Sequence, residues 1–161
     1  MLVLRKPKSS DLSEVKELYE KSVSFHNPWV YAPQDYEAYL KQEHRYFVCS
    51  AENKEILGTF NISGIMRGYF QSAYLGYEVF APHGGKGYMR EGMVLLLKEA
   101  FEELRLHRLE ANIQPENTAS IRLVSSVGFV KEGLSKKYLK VGGFEWKDHE
   151  RWAILNPGWS G

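Results

Sequence analysis

Apolar positions along this 161-residue chain alternate between helical and strand spacing, and the switches mark its elements. Leu12, Val15, Leu18 and Tyr19 form a helical stripe after Asp11, an N-cap residue with Glu14 placed as its capping-box partner. Phe25–Pro33 breaks that pattern, with Pro28 and Pro33 as punctuation. Asp35–Lys41 reads as a second, short helix. Met1–Arg5, Arg45–Ala51, Ile56–Met66, Ala73–Ala81 and Arg108–Ile113 read as strands. Met89, Met93, Leu96, Leu97, Ala100 and Leu104 lie at helical spacing and predict a long helix. Thr118–Val127 predicts another, closed by Gly128 in a left-handed cap. Leu134–Val141 and Arg151–Leu155 pair as a closing hairpin that bends near Gly142-Gly143. Helices between strands in the middle and hairpins at both ends predict a mixed α/β sheet. The length fits a single domain over residues 1–161 with a core of its own.

Charge removes several classes of function. Lys plus Arg number 21 against 20 Asp plus Glu, a net charge of +1. Nothing here attracts nucleic acid or an anionic membrane. No apolar run approaches the ~20 residues of a membrane span. Arg5, Lys6 and Lys8 near the start are followed by no apolar segment, so a signal peptide is not expected. The one cysteine, Cys49, forbids an internal disulfide and fits a reducing cytoplasm. It reads as a small strand residue in the core rather than an acyl carrier.

The candidate chemistry centres on His83-Gly84-Gly85-Lys86-Gly87-Tyr88-Met89-Arg90, where a strand turns into a helix. The first amides of a helix have no partner within it, and the helix dipole adds positive potential there. Glycines let an anion approach those amides closely. A Walker loop fails, because Gly87 follows Gly85-Lys86 and Phe80 stands where its first glycine belongs. The dinucleotide fingerprint fails at Arg90, which occupies its third glycine position. What remains resembles the pyrophosphate loop of the GNAT superfamily of N-acetyltransferases, Gln/Arg-x-x-Gly-x-Gly/Ala. Here Gly84 replaces the Gln or Arg, and Met89 replaces the small last residue. A second segment, Asn117-Thr118-Ala119-Ser120 through Leu123 to Gly128-Phe129, resembles the family's other signature and lies about 30 residues further on. The subgroup it looks most like is the Rim-type ribosomal-protein N-terminal acetyltransferases. The resemblance there is carried by Gly85–Tyr88, Glu116–Ser120 and Asp148-His149 ahead of Arg151–Leu155.

The resemblance implies a mostly antiparallel central sheet with splayed middle strands and flanking helices. It implies acetyl-CoA as co-substrate, a primary amine as acceptor and no metal. Backbone amides of Gly84, Gly85, Lys86, Gly87, Tyr88 and Met89 would cradle the pyrophosphate, with Lys86 and Arg90 as added charge. Both side chains read equally well as solvated surface residues. Peptide groups near Val79 would hold the pantetheine arm between Ala73–Ala81 and Arg108–Ile113, and Asn117 would bind near the arm's end. Ser120 would protonate the leaving thiolate, with Tyr138 in reserve; a thiol pKa of about 8.5 asks only for a weak acid. Asn117 reads also as a helix cap, and Ser120 as a small packing residue. Glu78 is the leading general base, since burial raises a carboxyl pKa. His26 and His149 are alternatives, His149 reading chiefly as a packing residue. Glu145 and Asp148 fit either attraction of a cationic substrate or a solvated turn.

His26, Asn27, Trp29 and Tyr31 form the aromatic, polar stretch expected to wall the acceptor site. The subgroup resemblance implies a protein N-terminal α-amine, met by direct attack in a ternary complex of a monomer or homodimer. Two alternatives stay open: acetylation of a small amine such as a polyamine or antibiotic, and a non-catalytic acyl-CoA sensor.

Overall fold

The computed structural model describes residues 1–81 and 83–160. Seven strands form one sheet: β1 (Leu2–Arg5), β2 (Arg45–Ser50), β3 (Ile56–Met66), β4 (Ser72–Val79), β5 (Arg108–Ile113), β6 (Val130–Val141) and β7 (Glu145–Leu155). Their order is β1-β2-β3-β4-β5-β7-β6. The pairs β1–β2, β2–β3, β5–β7 and β6–β7 are antiparallel, and β4–β5 is parallel. Among the described residues five α-helices accompany the sheet: α1 (Leu12–Lys21), α2 (Val23–His26), α3 (Tyr36–Leu40), α4 (Tyr88–Lys98) and α5 (Thr118–Ser126). This is the mixed, mostly antiparallel α/β architecture that the sequence predicts. Among the described residues no helix is long and apolar enough to cross a membrane.

The chain divides into two compact units, Met1–Asn61 with Tyr77–Leu95, and Ile62–Gly76 with Leu96–Gly161. In the first, the α1 stripe delivers Val15 and Tyr19 to a core with Tyr39, Leu40, Phe47, Cys49, Ile56 and Phe80. Tyr19 is its hub: its ring meets Phe80 edge-on at 5.0 Å and Tyr39 at 5.8 Å. Such pairs add roughly 0.5–1.5 kcal/mol to the burial itself. Asp11 does not cap α1 as predicted. Arg5 takes both its oxygens at 2.9 Å, and the Lys8 amide donates to one of them at 2.7 Å. A bidentate, charge-assisted pair outweighs a neutral cap. Glu14, released from the capping box, accepts from the Ile56 amide instead.

In the second unit β5 alternates as a half-buried strand should, with Leu109, Ala111 and Ile113 inside and Arg108, Glu110 and Asn112 at the other face. Its pairing with β4 covers Ser72↔Arg108, Ala73↔Leu109 and Tyr74↔Glu110. The sequence predicts one helix to Leu104. The α-helix ends at Lys98, and Glu99–Glu103 follows as a wider turn in which the Leu104 amide reaches back to the Glu99 carbonyl. Arg67 closes that end, donating to the Leu104 carbonyl at 2.7 Å. The strands β6 and β7 start earlier than predicted, at Val130 and Glu145. Their extra residues are mostly charged, and cross-strand ion pairing such as Lys131–Glu150 keeps them in the ladder. Gly142 and Gly143, with φ of 65° and 80°, supply the left-handed turn of that hairpin.

Phe80 is fully buried against Tyr19 at the head of the glycine loop. Truncation of Phe80 to Ala removes this anchor and should cost about 3–5 kcal/mol. Urea unfolding reads the loss; a cost below about 1 kcal/mol would mean that the hub does not carry the first unit.

Candidate active site

The glycine loop follows directly from the buried end of β4. The Phe80 amide donates to the Leu57 carbonyl at 3.0 Å, so backbone pairing continues one residue past the end of β4. The Ala81 amide donates to the Ser22 hydroxyl at 3.0 Å, and that hydroxyl donates to the Leu18 carbonyl at 2.6 Å. His83 closes a tight turn, its amide donating to the Phe80 carbonyl at 2.8 Å. Its ring is buried near Tyr88, with Nε2 3.1 Å from a Glu55 carboxylate oxygen. Gly85 and Gly87 then take φ of 75° and 78°, and a Cβ at either would meet nothing within 4 Å. Open space therefore lies in front of the start of α4, whose first amides lack helical partners. Gly85, Lys86, Gly87 and Arg90 are exposed there, Tyr88 is half-buried and Met89 is buried.

Both departures from the family loop have a structural counterpart. A Cβ on Gly84 would lie 2.6 Å from the Phe25 ring, so Phe25 covers the place where the family carries Gln or Arg. Met89, larger than the family's last loop residue, fits because Gly58 faces it. A Cβ on Gly58 would meet the Met89 sulfur at 2.6 Å.

Glu78 sits two residues before Phe80, at the wall of a cavity of about 310 Å³. Tyr19, Tyr31, Asp35, Tyr39 and Arg45 line the same cavity. Oε2 of Glu78 has no hydrogen-bond partner, and Nη1 of Arg45 stands 3.9 Å away. Burial pushes the Glu78 carboxyl above the usual carboxylate range, and Arg45 pulls weakly the other way. This is the profile of a base kept unquenched. Tyr19 and Tyr39 share a hydroxyl–hydroxyl hydrogen bond of 3.1 Å beside it. Burial raises both phenols, so both stay protonated.

The other sequence-selected residues fall into separate groups. Tyr31 lines the cavity, whereas Trp29 is half-buried outside its lining. His26 is buried, and its Nε2–H donates to the Val79 carbonyl at 2.7 Å. That bond fixes the tautomer and occupies the Val79 oxygen. Burial lowers the His26 pKa, so the ring stays neutral and acts as a tie. In the second unit Asn117 caps α5, its Oδ1 accepting from the Ser120 amide at 3.3 Å. Ser120 is half-buried in the first turn of that helix. Tyr138, on β6, hydrogen-bonds the Tyr74 hydroxyl and thereby raises the Tyr74 pKa. His149 is buried against Tyr138, donating from Nδ1 to the Lys147 carbonyl at 2.9 Å. Asp148 accepts from the Lys137 amide at 2.8 Å, and Glu145 pairs with Lys147. Both acids thus have partners within the hairpin. Arg45, Tyr19 and Tyr39 were not singled out in the sequence as site residues, Tyr19 being read only as part of the α1 stripe. The available signal was a lone arginine opening an otherwise apolar strand.

Glu78 makes stability depend on pH in a definite direction. Its native pKa lies above the unfolded value near 4.5, so the native state holds the proton more tightly. Its contribution is complete below that value and is lost as pH rises through the native pKa. Glu78→Gln, always neutral, should therefore gain stability relative to the wild type between pH 4 and pH 7.5 in urea unfolding. A difference that shrinks or reverses over this range would show that the carboxylate is already well solvated.

Known proteins resemble this chain in both sequence and fold. The acetyltransferase (GNAT) domain matches residues 1–130. A probable N-acetyltransferase of Bacillus subtilis (strain 168) is 40% identical over 116 residues, covering 72% of this chain and 64% of that protein, less than two thirds of its length. The ribosomal protein uS5-alanine N-acetyltransferase of Escherichia coli (strain K12) is 30% identical over 175 aligned positions, 99% of this chain and 90% of that one. The structure of the ribosomal-protein-S5-alanine acetyltransferase from Vibrio fischeri is 26% identical, with a TM-score of 0.87 over 99% of this chain and 96% of that one. The spermidine N-acetyltransferase from Vibrio cholerae, solved with CoA and spermine, is 25% identical, with a TM-score of 0.80 over 98% and 97%. With the domain matched across most of its length, the chain belongs to the GNAT acetyltransferase family.

Proposed function

We propose that the chain is an acetyl-CoA-dependent N-acetyltransferase whose acceptor is a protein N-terminal α-amine, attacked directly in a ternary complex. The observation that carries this reading is Glu78: a carboxylate whose Oε2 is buried in a cavity without a hydrogen-bond partner, on the strand that leads into the loop that could seat a pyrophosphate. The open space at Gly85 and Gly87 fits a phosphate group. Bound there, acetyl-CoA would supply the acetyl thioester. Lys86 and Arg90 stand on the loop and on the first turn of α4 as supplementary charge.

The acceptor must attack as a neutral amine. Glu78 accepts its proton, directly or through one water. A free α-amine has a pKa near 7.7–8.0, so a base of moderately raised pKa suffices. The Tyr19, Tyr31 and Tyr39 rings give the amine an apolar, partly aromatic surround. Ser120 donates a proton to the leaving sulfur, with Tyr138 as the alternative acid. The similarity to the uS5-alanine enzyme over nearly the whole chain supports an α-amine. The spermidine enzyme among the structural neighbours, and the acids Asp35 and Glu78 in the cavity, support a polyamine as the second reading. A retained carboxylate oxygen with no hydrogen bond to quench it argues against the sensor.

Three variants test the proposal. Gly87→Trp fills the open space and should abolish acetyl-CoA binding in calorimetry while the fold persists. Ser120→Ala and Glu78→Gln should keep acetyl-CoA affinity and lower turnover by ~10²–10⁴-fold. The Glu78→Gln deficit should shrink above the amine's pKa, where neutral amine is abundant. Unchanged affinity in a folded Gly87→Trp protein would sink the cradle, and a loss under tenfold in either other variant would make that residue dispensable.

A further inference from the structure

Arg45 lines the cavity that holds Glu78, yet its side chain is only 9% exposed. It is held from several sides. Nε donates to the Gln42 amide oxygen at 2.9 Å, and Nη1 to the Thr59 hydroxyl at 3.1 Å. The Thr59 hydroxyl in turn donates to the Tyr46 carbonyl at 3.1 Å. The guanidinium lies over the Tyr39 ring, 4.1 Å from its centre. A clamp of this kind fixes a planar fork with little entropy left to lose. It also holds Nη1 at 3.9 Å from Glu78, too far for a hydrogen bond. Two of the five guanidinium N–H groups are engaged by the clamp, and no hydrogen bond of Nη2 is found among the described residues. One wall of the cavity therefore presents an acceptor on Glu78 and a cationic donor on Arg45, side by side and unspent.

We propose that Arg45 reads the carbonyl oxygen on the carbon next to the acceptor amine, so that the site selects α-amino carbonyl compounds over plain alkylamines. This rests on the acceptor reading above, in which Glu78 takes the amine's proton. An N-terminal residue carries its amine and its own carbonyl oxygen about 2.7–3.6 Å apart, three bonds away and set by one torsion. That spacing matches the neighbouring Glu78 and Arg45 atoms. The amine would donate to Glu78 while the carbonyl accepts from Arg45. A plain alkylamine offers no acceptor to the guanidinium N–H groups outside the clamp. A polyamine adds a second cation beside it.

Alaninamide and isopropylamine test this, since the second replaces the carboxamide of the first with a methyl. Both are offered to the full chain with acetyl-CoA, with kcat/KM referred to the neutral amine, and binding of each is measured separately by calorimetry. A hydrogen bond from a buried charged donor predicts a preference for alaninamide on the order of tenfold or more. Arg45→Met should bring the ratio close to one, Arg45→Lys should keep part of it, and Gln42→Ala, which loosens the clamp, should reduce it. Glu78→Gln should slow both amines alike and leave the ratio in place. Binding that prefers alaninamide without acetylation of either amine would uphold Arg45 and refute the transfer reading instead. A wild type indifferent to the carboxamide in both measurements would overturn the proposal. So would an Arg45→Met protein that folds, as judged by thermal unfolding, and keeps the wild-type ratio.

Discussion

A carboxylate oxygen shut off from water without a hydrogen-bond partner is unfavourable, and the first unit is arranged so that Oε2 of Glu78 stays in that condition. A direct hydrogen bond from Arg45, in place of the long 3.9 Å ion pair, would relieve the cost and quench the base. Gln42, Thr59 and the Tyr39 ring prevent it by fixing the guanidinium beyond hydrogen-bond reach. Tyr19, bonded to Tyr39 through their hydroxyls, ties this arrangement to Phe80 and hence to the root of the glycine loop. The apolar core and the candidate catalytic wall thus share the same tyrosines. Stability is given up at Glu78 and recovered in the packing around Tyr19 and Phe80.

The carbonyl of Val79 shows a second economy of the same strand. Beyond the short pairing of β4 with β5, the backbone of β4 must find partners elsewhere. His26 supplies one from its buried ring, and Leu57 supplies another to the Phe80 amide. The histidine that looked like a spare base in the sequence is therefore part of what fixes the end of β4.

The parts of the site made by backbone were readable in the sequence, because they demand particular residues. Gly85 and Gly87 occupy left-handed conformations in front of a helix, and few other residues do so without strain. Asn117 and Ser120 stand in the first turn of a predicted helix, and that helix is present. The strand segments through the middle followed from the alternation of apolar runs with turn residues. What stayed hidden depends on residues distant in sequence. Arg45 and Glu78 are 33 positions apart and have no local signature as a pair. Asp11 looked like a helix cap because its competitor, Arg5, lies on the preceding strand. The outer parts of β6 and β7 escaped notice because charged residues such as Lys131, Asp148 and Glu150 find their partners across the hairpin, not along the chain.

Phe25 lying over Gly84 has a consequence for the mouth of this loop. A side chain at position 84 would place its first carbon against the far edge of the Phe25 ring. That ring is half exposed, so it is free to swing outward. Position 84 and position 25 therefore compete for one space, and whichever side chain holds it sets what lies over the start of the loop.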